Sequence, residues 1–236
     1  EAFLKDLGDT AIGGDAPEED AEVAKARKDL RENANSANAH YNLALVLQKR
    51  GKLDEAEQLL LKAIGLKDTD PDFFTQLGTV YRKQKEWAKA IRAYGRALNL
   101  REEDSVSYYW TGYCYRYLAD DASGDQQTKL YGQALDAYQT CAKYDPKDPD
   151  PWYAMGIVYD KLKKVDEALT AYQKTVALKP DYADGWYNLA VTYKQKGDKA
   201  KAVAAMQRFI ELARSDPNQK EWVTRGEKFI RDLGAL

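Results

Sequence analysis

The stretch WYAMGIVY at residues 152–159 returns as WYNLAVTY at 186–193, thirty-four residues later. The same template runs back through Phe74-x2-Leu77-Gly78-x2-Tyr81 and His40-x2-Leu43-Ala44-x2-Leu47. Spacings of three, one and three place the four positions on one side of a helix. A second helical stripe follows at fixed offsets. Ala56, Leu60 and Ala63 lie sixteen, twenty and twenty-three residues after His40. The same offsets give Ala90, Tyr94 and Ala97, then Ala168, Tyr172 and Thr175, then Ala202, Met206 and Phe209. Small residues at two of the three positions let two helix backbones approach, and the large one fills the gap. A thirty-four-residue helix–turn–helix period means that each unit buries its apolar face only by stacking on a neighbour. Gly51 and Gly197 fall between the two helices of their units, where a left-handed turn residue is useful, and Pro146 and Pro180 fall just after a second helix.

These residues resemble the tetratricopeptide repeat (TPR) family over about residues 37–216. The resemblance implies an all-α fold, a right-handed α-α superhelix or solenoid, whose work is protein–protein recognition. Five units are expected, at 37–70, 71–104, 105–148, 149–182 and 183–216. The third is ten residues longer than the rest, and the excess falls near 119–130, where ADDASGDQQTKL reads as a turn and a helix start. If both helices lengthen, Leu118, Leu130 and Tyr131 would seal the longer hairpin. Positions 141 and 209, often alanine in the family, are Cys141 and Phe209. Phe209 points to an altered environment where the array meets its C-terminal end.

A solenoid needs polar-backed caps at its ends. Residues 20–36 supply one, with Val23, Ala26 and Leu30 on one side of a helix. Residues 217–236 supply the other, with Trp222, Val223, Phe229, Ile230 and Leu233 at helical spacing and Asn218 as a candidate helix cap. Residues 1–19 read as a flexible acidic leader too polar to order alone. Its segment 1–12, with Phe3, Leu4 and Leu7, is a candidate for self-association through the groove.

Composition narrows the function further. The chain has 236 residues, is 44% hydrophobic and 31% charged, and carries a formal charge of −2, which argues against nucleic acid as the main partner. No apolar run reaches bilayer length, so no direct membrane span is expected. The first residue is glutamate, so the compartment stays open between cytoplasmic, periplasmic and lipid-anchored. Cys114 and Cys141, on the two antiparallel helices of the third unit, should sit too far apart for a disulfide; two buried thiols fit a reducing compartment. The single histidine, His40, holds a core position. One histidine supplies neither a catalytic triad nor a histidine pair for a metal, and no glycine-rich phosphate loop is present. The reading is a non-enzyme without cofactor or metal.

The resemblance implies that the first helix of each unit lines a concave groove through fixed positions. Carried over residue by residue, these give Tyr41 in the first unit and Arg82 and Lys83 in the second. The third unit gives Tyr109, Trp110, Tyr113, Arg116 and Tyr117, the fourth Tyr153, and the fifth Tyr187 and Lys194. Tyr109, Tyr113 and Tyr117 recur every four residues and form one stripe. Tyr, Trp and Arg most often carry binding energy at interfaces. With the basic residues nearby, the stripe suits a peptide or helix of a partner protein that has apolar anchors and some acidic character. The residues that clamp a C-terminal carboxylate in chaperone-associated members of the family are replaced here by Tyr41, Leu45, Gln76, Val106 and Trp110. Three rivals to an adaptor, scaffold or assembly factor stay open: a regulatory or targeting module of a larger enzyme, a pilotin-like envelope assembly lipoprotein, and a self-assembling scaffold.

Overall fold

A computed structural model describes residues 20–234. The leader at 1–19, with its self-association segment at 1–12, lies outside the described residues, as do 235 and 236. Every regular element among the described residues is helical, and the chain divides into two compact units with the division between Glu103 and Asp104.

In the first unit, α1 (Ala21–Glu32) precedes two helical hairpins, α2 (Ala37–Lys49) with α3 (Leu53–Leu66) and α4 (Pro71–Lys83) with α5 (Trp87–Leu100). The second unit holds three hairpins: α6 (Ser105–Asp120) with α7 (Gly124–Tyr144), α8 (Asp150–Lys161) with α9 (Val165–Leu178), and α10 (Ala183–Gln195) with α11 (Lys199–Ala213). A 3₁₀ turn at Pro217–Gln219 leads into α12 (Lys220–Asp232). Several helix starts carry a side-chain cap. The Ser36 hydroxyl accepts from the Ala39 N–H at 3.2 Å, and the carboxylates of Asp70, Asp104 and Asp198 accept from the N–H groups of Asp72, Ser107 and Lys201.

The two helices of a hairpin touch where the small residue of the first meets the large residue of the second. A Cβ added at Gly78 would lie 2.7 Å from the Tyr94 ring, and one at Gly112 would lie 2.8 Å from the Tyr138 ring. Gly156 sits as tightly on Tyr172. Tyr94, Tyr138 and Tyr172 are fully buried. His40 is buried as expected, with its Nδ1 2.9 Å from the Ser36 carbonyl oxygen. Cys114 and Cys141 are both buried and no disulfide joins them.

The turns between paired helices need one residue at positive φ. Gly51 and Gly197 fill that place at φ 76° and 79°, whereas Lys85 and Lys163 take φ 62° and 57° in the equivalent turns. A side chain in this region is strained because Cβ crowds the backbone carbonyl.

The excess length of the third hairpin becomes helix. Helix α6 has 16 residues and α7 has 21, against 13 and 14 in α4 and α5. The turn is short, and the Gln127 amide closes it by donating to the carbonyl oxygens of Ala119 (3.0 Å) and Ala122 (2.9 Å). Leu130 and Tyr131 are buried with Ala119, and Leu118 packs against that cluster.

At the C-terminal end the candidate cap is corrected. Asn218 does not cap α12; it lies inside the 3₁₀ turn, where its N–H donates to the Asp216 carboxylate at 2.9 Å. Proline at 217 favours the turn starting there, one residue earlier. Helix α12 then covers α11 through Ile230 and Gly226, where a Cβ would meet Met206 and Ile210 at 3.0–3.1 Å. Phe209 is buried in this end cluster.

Two substitutions test this account by urea denaturation. Gly156→Ala is expected to lower stability by about 1–3 kcal/mol, because its Cβ collides with the Tyr172 ring. Lys163→Gly is expected to raise it by up to roughly 1 kcal/mol, as relief of left-handed strain outweighs the added freedom of the unfolded chain.

Candidate functional site

Helix α6 brings together all five residues selected on it. The Tyr109 and Trp110 rings meet edge-on at 4.9 Å, as do Trp110 and Tyr113 at 5.4 Å, and Tyr113 and Tyr117 lie tilted at 4.6 Å. The Arg116 guanidinium lies over Tyr117 (4.3 Å) and Tyr113 (5.2 Å). The stripe is half-buried. Tyr109 leans inward, with its ring 5.7 Å from Tyr138, so part of its area is already used by the core.

Arg116 is not a loose charge. Its side chain is 15% exposed and donates to the Asp120 carboxylate at 3.3 Å. Asp120 also accepts from the Tyr131 hydroxyl at 2.7 Å and pairs with Lys161 at 3.2 Å. One carboxylate on the last turn of the lengthened α6 thus fixes the arginine that stacks on the tyrosine stripe.

Tyr153 and Tyr187 extend the aromatic face along α8 and α10. The Tyr153 hydroxyl accepts from the Asn188 amide at 3.2 Å, and its ring lies 5.0 Å from Tyr182. Tyr187 stands edge-on to Phe209 (5.2 Å) and to Trp222 of α12 (5.3 Å, interplanar angle 84°). Tyr153, Tyr187 and Trp222 line a hollow of about 360 Å³ together with Asp184, Asn188, Phe209 and Gln219. Lys194 lies with its ammonium 5.0 Å from the Phe229 ring centroid, against α12.

In the first unit, the Tyr41 ring tilts onto Phe73 at 5.0 Å, Arg82 is half-buried and Lys83 is exposed. Two features escaped the sequence. Trp222 reads as a cap residue by its spacing, yet it is 42% exposed and forms a wall of the hollow. A second, more apolar hollow of about 520 Å³ is lined by Val176, Trp186, Leu189, Tyr193 and Ala205 on α9, α10 and α11. Repeat spacing marks Trp186, Leu189 and Tyr193 only as core positions, and does not mark Ala205.

The phenols of Tyr109 and Tyr153 are each pushed up to about 12, first by burial and then by carboxylates: Asp150 and Asp148 for Tyr109, Asp184 for Tyr153. Carboxylates therefore crowd this face. Burial also raises the Asp148 and Asp160 carboxyls, and Asp160 accepts from the Tyr172 hydroxyl at 2.6 Å. No group of acidic, histidine or cysteine side chains suited to a metal ion is found among the described residues. No helix among them is long and apolar enough to cross a membrane.

Paired helices closed by short turns, with large aromatic residues along the first helix of each pair, define a helical-hairpin repeat protein. Family models described as Tetratricopeptide repeat match residues 37–70 and 183–216, 71–104, and 137–170, and one described as TPR repeat matches 159–197. The chain belongs to the tetratricopeptide repeat family. It is similar to the protein bimA of Emericella nidulans, 29% identical over 112 residues, which cover 46% of this chain and 13% of bimA. It is also similar to anaphase-promoting complex subunit 3 of Schizosaccharomyces pombe, 25% identical over 138 residues, which cover 58% of this chain and 19% of that protein. The chain therefore spans less than a fifth of either relative. Among solved structures, MamA 41-end from Desulfovibrio magneticus RS-1 aligns with a TM-score of 0.67 at 22% identity, covering 77% of this chain and 97% of that one. YrrB, described as a TPR protein with an unusual peptide-binding site, aligns with a TM-score of 0.65 at 21% identity, covering 87% and 99%. These likenesses are of fold. As a TPR array, the chain is in general terms a scaffold for protein–protein interaction.

The raised phenols set a pH dependence. An unfolded tyrosine ionises near 10, so below that pH both states are neutral and the folded state keeps its full advantage. As pH rises from about 10 towards 12, the unfolded state ionises first and stability is lost. Tyr109→Phe should shrink the loss between about pH 9 and about pH 11 by on the order of 1 kcal/mol, read from urea midpoints. An unchanged loss would refute the assignment.

Proposed function

We propose that the chain is a non-catalytic adaptor, scaffold or assembly factor that takes a peptide or helical segment of a partner protein on the tyrosine-bearing first helices of its hairpins. One observation carries the reading: Tyr109, Trp110, Tyr113, Arg116 and Tyr117 form a continuous ring network on one helix that stays half-buried. A ring pinned by its neighbours loses little freedom on binding, and it offers an apolar body with a polar end. The partner supplies apolar anchors for this network. In the first unit, Tyr41 and exposed Lys83 would meet an apolar residue and an acidic one; in the second, Arg116 already has Asp120. The description of YrrB as having a peptide-binding site is consistent with this use of the fold.

The test compares proteins captured by the wild-type chain with those captured by the Tyr109→Ala/Tyr113→Ala double variant, followed by affinity measurement on the recovered partner. The double variant should stay helical by circular dichroism and bind the partner more weakly by about 2–4 kcal/mol. Equal affinity from a folded double variant would remove the stripe as the binding surface.

A further inference from the structure

The hollow between α8, α10 and α12 has a chemistry distinct from the α6 stripe. Its walls are the rings of Tyr153, Tyr187 and Trp222, with Phe209 behind Tyr187. Tyr187 and Trp222 stand nearly perpendicular, at 84°, so two ring surfaces meet at a corner. Asp184, one residue into α10 from its start, is the only carboxylate in the lining, and no basic side chain joins it there. Among the described residues no hydrogen bond or ion pair engages the Asp184 carboxylate, which is exposed. Its charge is nevertheless felt inside, since it helps to raise the Tyr153 phenol. Of the nearby cations, one sits on a wall ring of the hollow from outside the lining and one on a neighbouring ring. Arg225 lies over Trp222 at 4.8 Å and pairs with Glu221 at 2.6 Å, and Lys194 lies over Phe229.

Aromatic faces attract a cation through the ring quadrupole, and more strongly as water is excluded. A carboxylate at the rim adds direct attraction, and a planar guanidinium can meet it with two parallel N–H donors while stacking on a ring. Burial holds the Tyr153 phenol well above the usual range, so its hydroxyl stays protonated and able to donate. Asn188 and Gln219 add amide oxygens that can accept from a guanidinium.

We propose that this hollow is a subsite for an arginine side chain of the partner polypeptide, held by the Tyr153, Tyr187 and Trp222 rings and by the Asp184 carboxylate. The proposal rests on the adaptor reading above and specifies the residue that this end of the second unit selects.

The probe is Nα-acetyl-arginine N-methylamide, with the citrulline analogue as its uncharged counterpart. Binding is followed by the indole N–H resonance of Trp222 in ¹H–¹⁵N spectra of the full chain, assigned with Trp222→Phe. The arginine probe should shift this resonance saturably, and the citrulline probe should bind about tenfold more weakly or less. Asp184→Asn should weaken the arginine probe by about tenfold. Tyr187→Leu, which keeps apolar bulk and removes the ring face, should weaken it as well, with helicity unchanged. Equal binding of the two probes, absence of a saturable shift, or indifference to Asp184→Asn would overturn the subsite. The outcomes separate from the adaptor reading. A partner that still depends on Tyr109 and Tyr113 while the probe fails leaves only the subsite refuted. A probe that binds while the partner is indifferent to Tyr109 and Tyr113 refutes the stripe instead.

Discussion

The close approach of two helix backbones within each hairpin governs the rest of the molecule. Gly78, Gly112 and Gly156 give way to the rings of Tyr94, Tyr138 and Tyr172, and no room for a methyl group remains at those contacts. Where alanine takes the small position, at 44 and 190, the residue that fills the gap is the slimmer Leu60 or Met206. Small and large are thus matched hairpin by hairpin, as dense packing requires. Two of the buried tyrosines also carry a bonded hydroxyl. Tyr94 lies 3.2 Å from the Thr79 hydroxyl, and Tyr172 donates to Asp160. In those two hairpins the bulky core residue brings its own polar end to a partner rather than leaving it orphaned.

With the second helix tucked so closely behind, the first helix must spend its remaining face on something other than its hairpin mate. In the second unit that face is aromatic: four rings on α6 with Arg116 stacked on two of them, then Tyr153 and Tyr187. The rings lean on one another and on the core, so the surface is firm. Charge is sorted along it. Arg116 is neutralised at one end by Asp120, while at the other Asp184 is left to solvent beside three rings. A single helix-lined face thereby offers two different chemistries within one unit, an aromatic ridge with an internal cation and an aromatic hollow with an external anion.

Much of this was legible in the residues, and the reasons for success and failure are physical. Helix pairing and the caging of His40 follow from side chains that recur at 3.6-residue spacing, because burial of a stripe is a local demand. The stripe at 109, 113 and 117 follows from the same arithmetic. What spacing does not report is which way α12 is rotated against α11. Trp222 shares the apolar pattern of α12, yet Gly226 and Ile230 take the contact with α11 and turn Trp222 outward. Nor does composition reveal that a basic residue already has a counter-charge. Arg116 and Asp120 are only one helical turn apart, but Tyr131 and Lys161 join them from other helices, and such a meeting depends on tertiary placement. The lysines at positive φ were hidden for the opposite reason: the strain is local, but packing of both flanking helices imposes it against residue preference.

The Asp120 cluster makes the third hairpin unlike its neighbours in one respect. Repeat arrays are usually treated as strings of interchangeable beads, each replaceable by a consensus unit. Here the tip of the lengthened helix supplies the counter-ion that orients Arg116 over the ridge, and Lys161 of the following hairpin shares it. A shorter, standard unit spliced into this place would keep the stacking surfaces and lose the anchor. The bead has become a keystone, and lineage changes in its length should travel together with changes at positions 116 and 161.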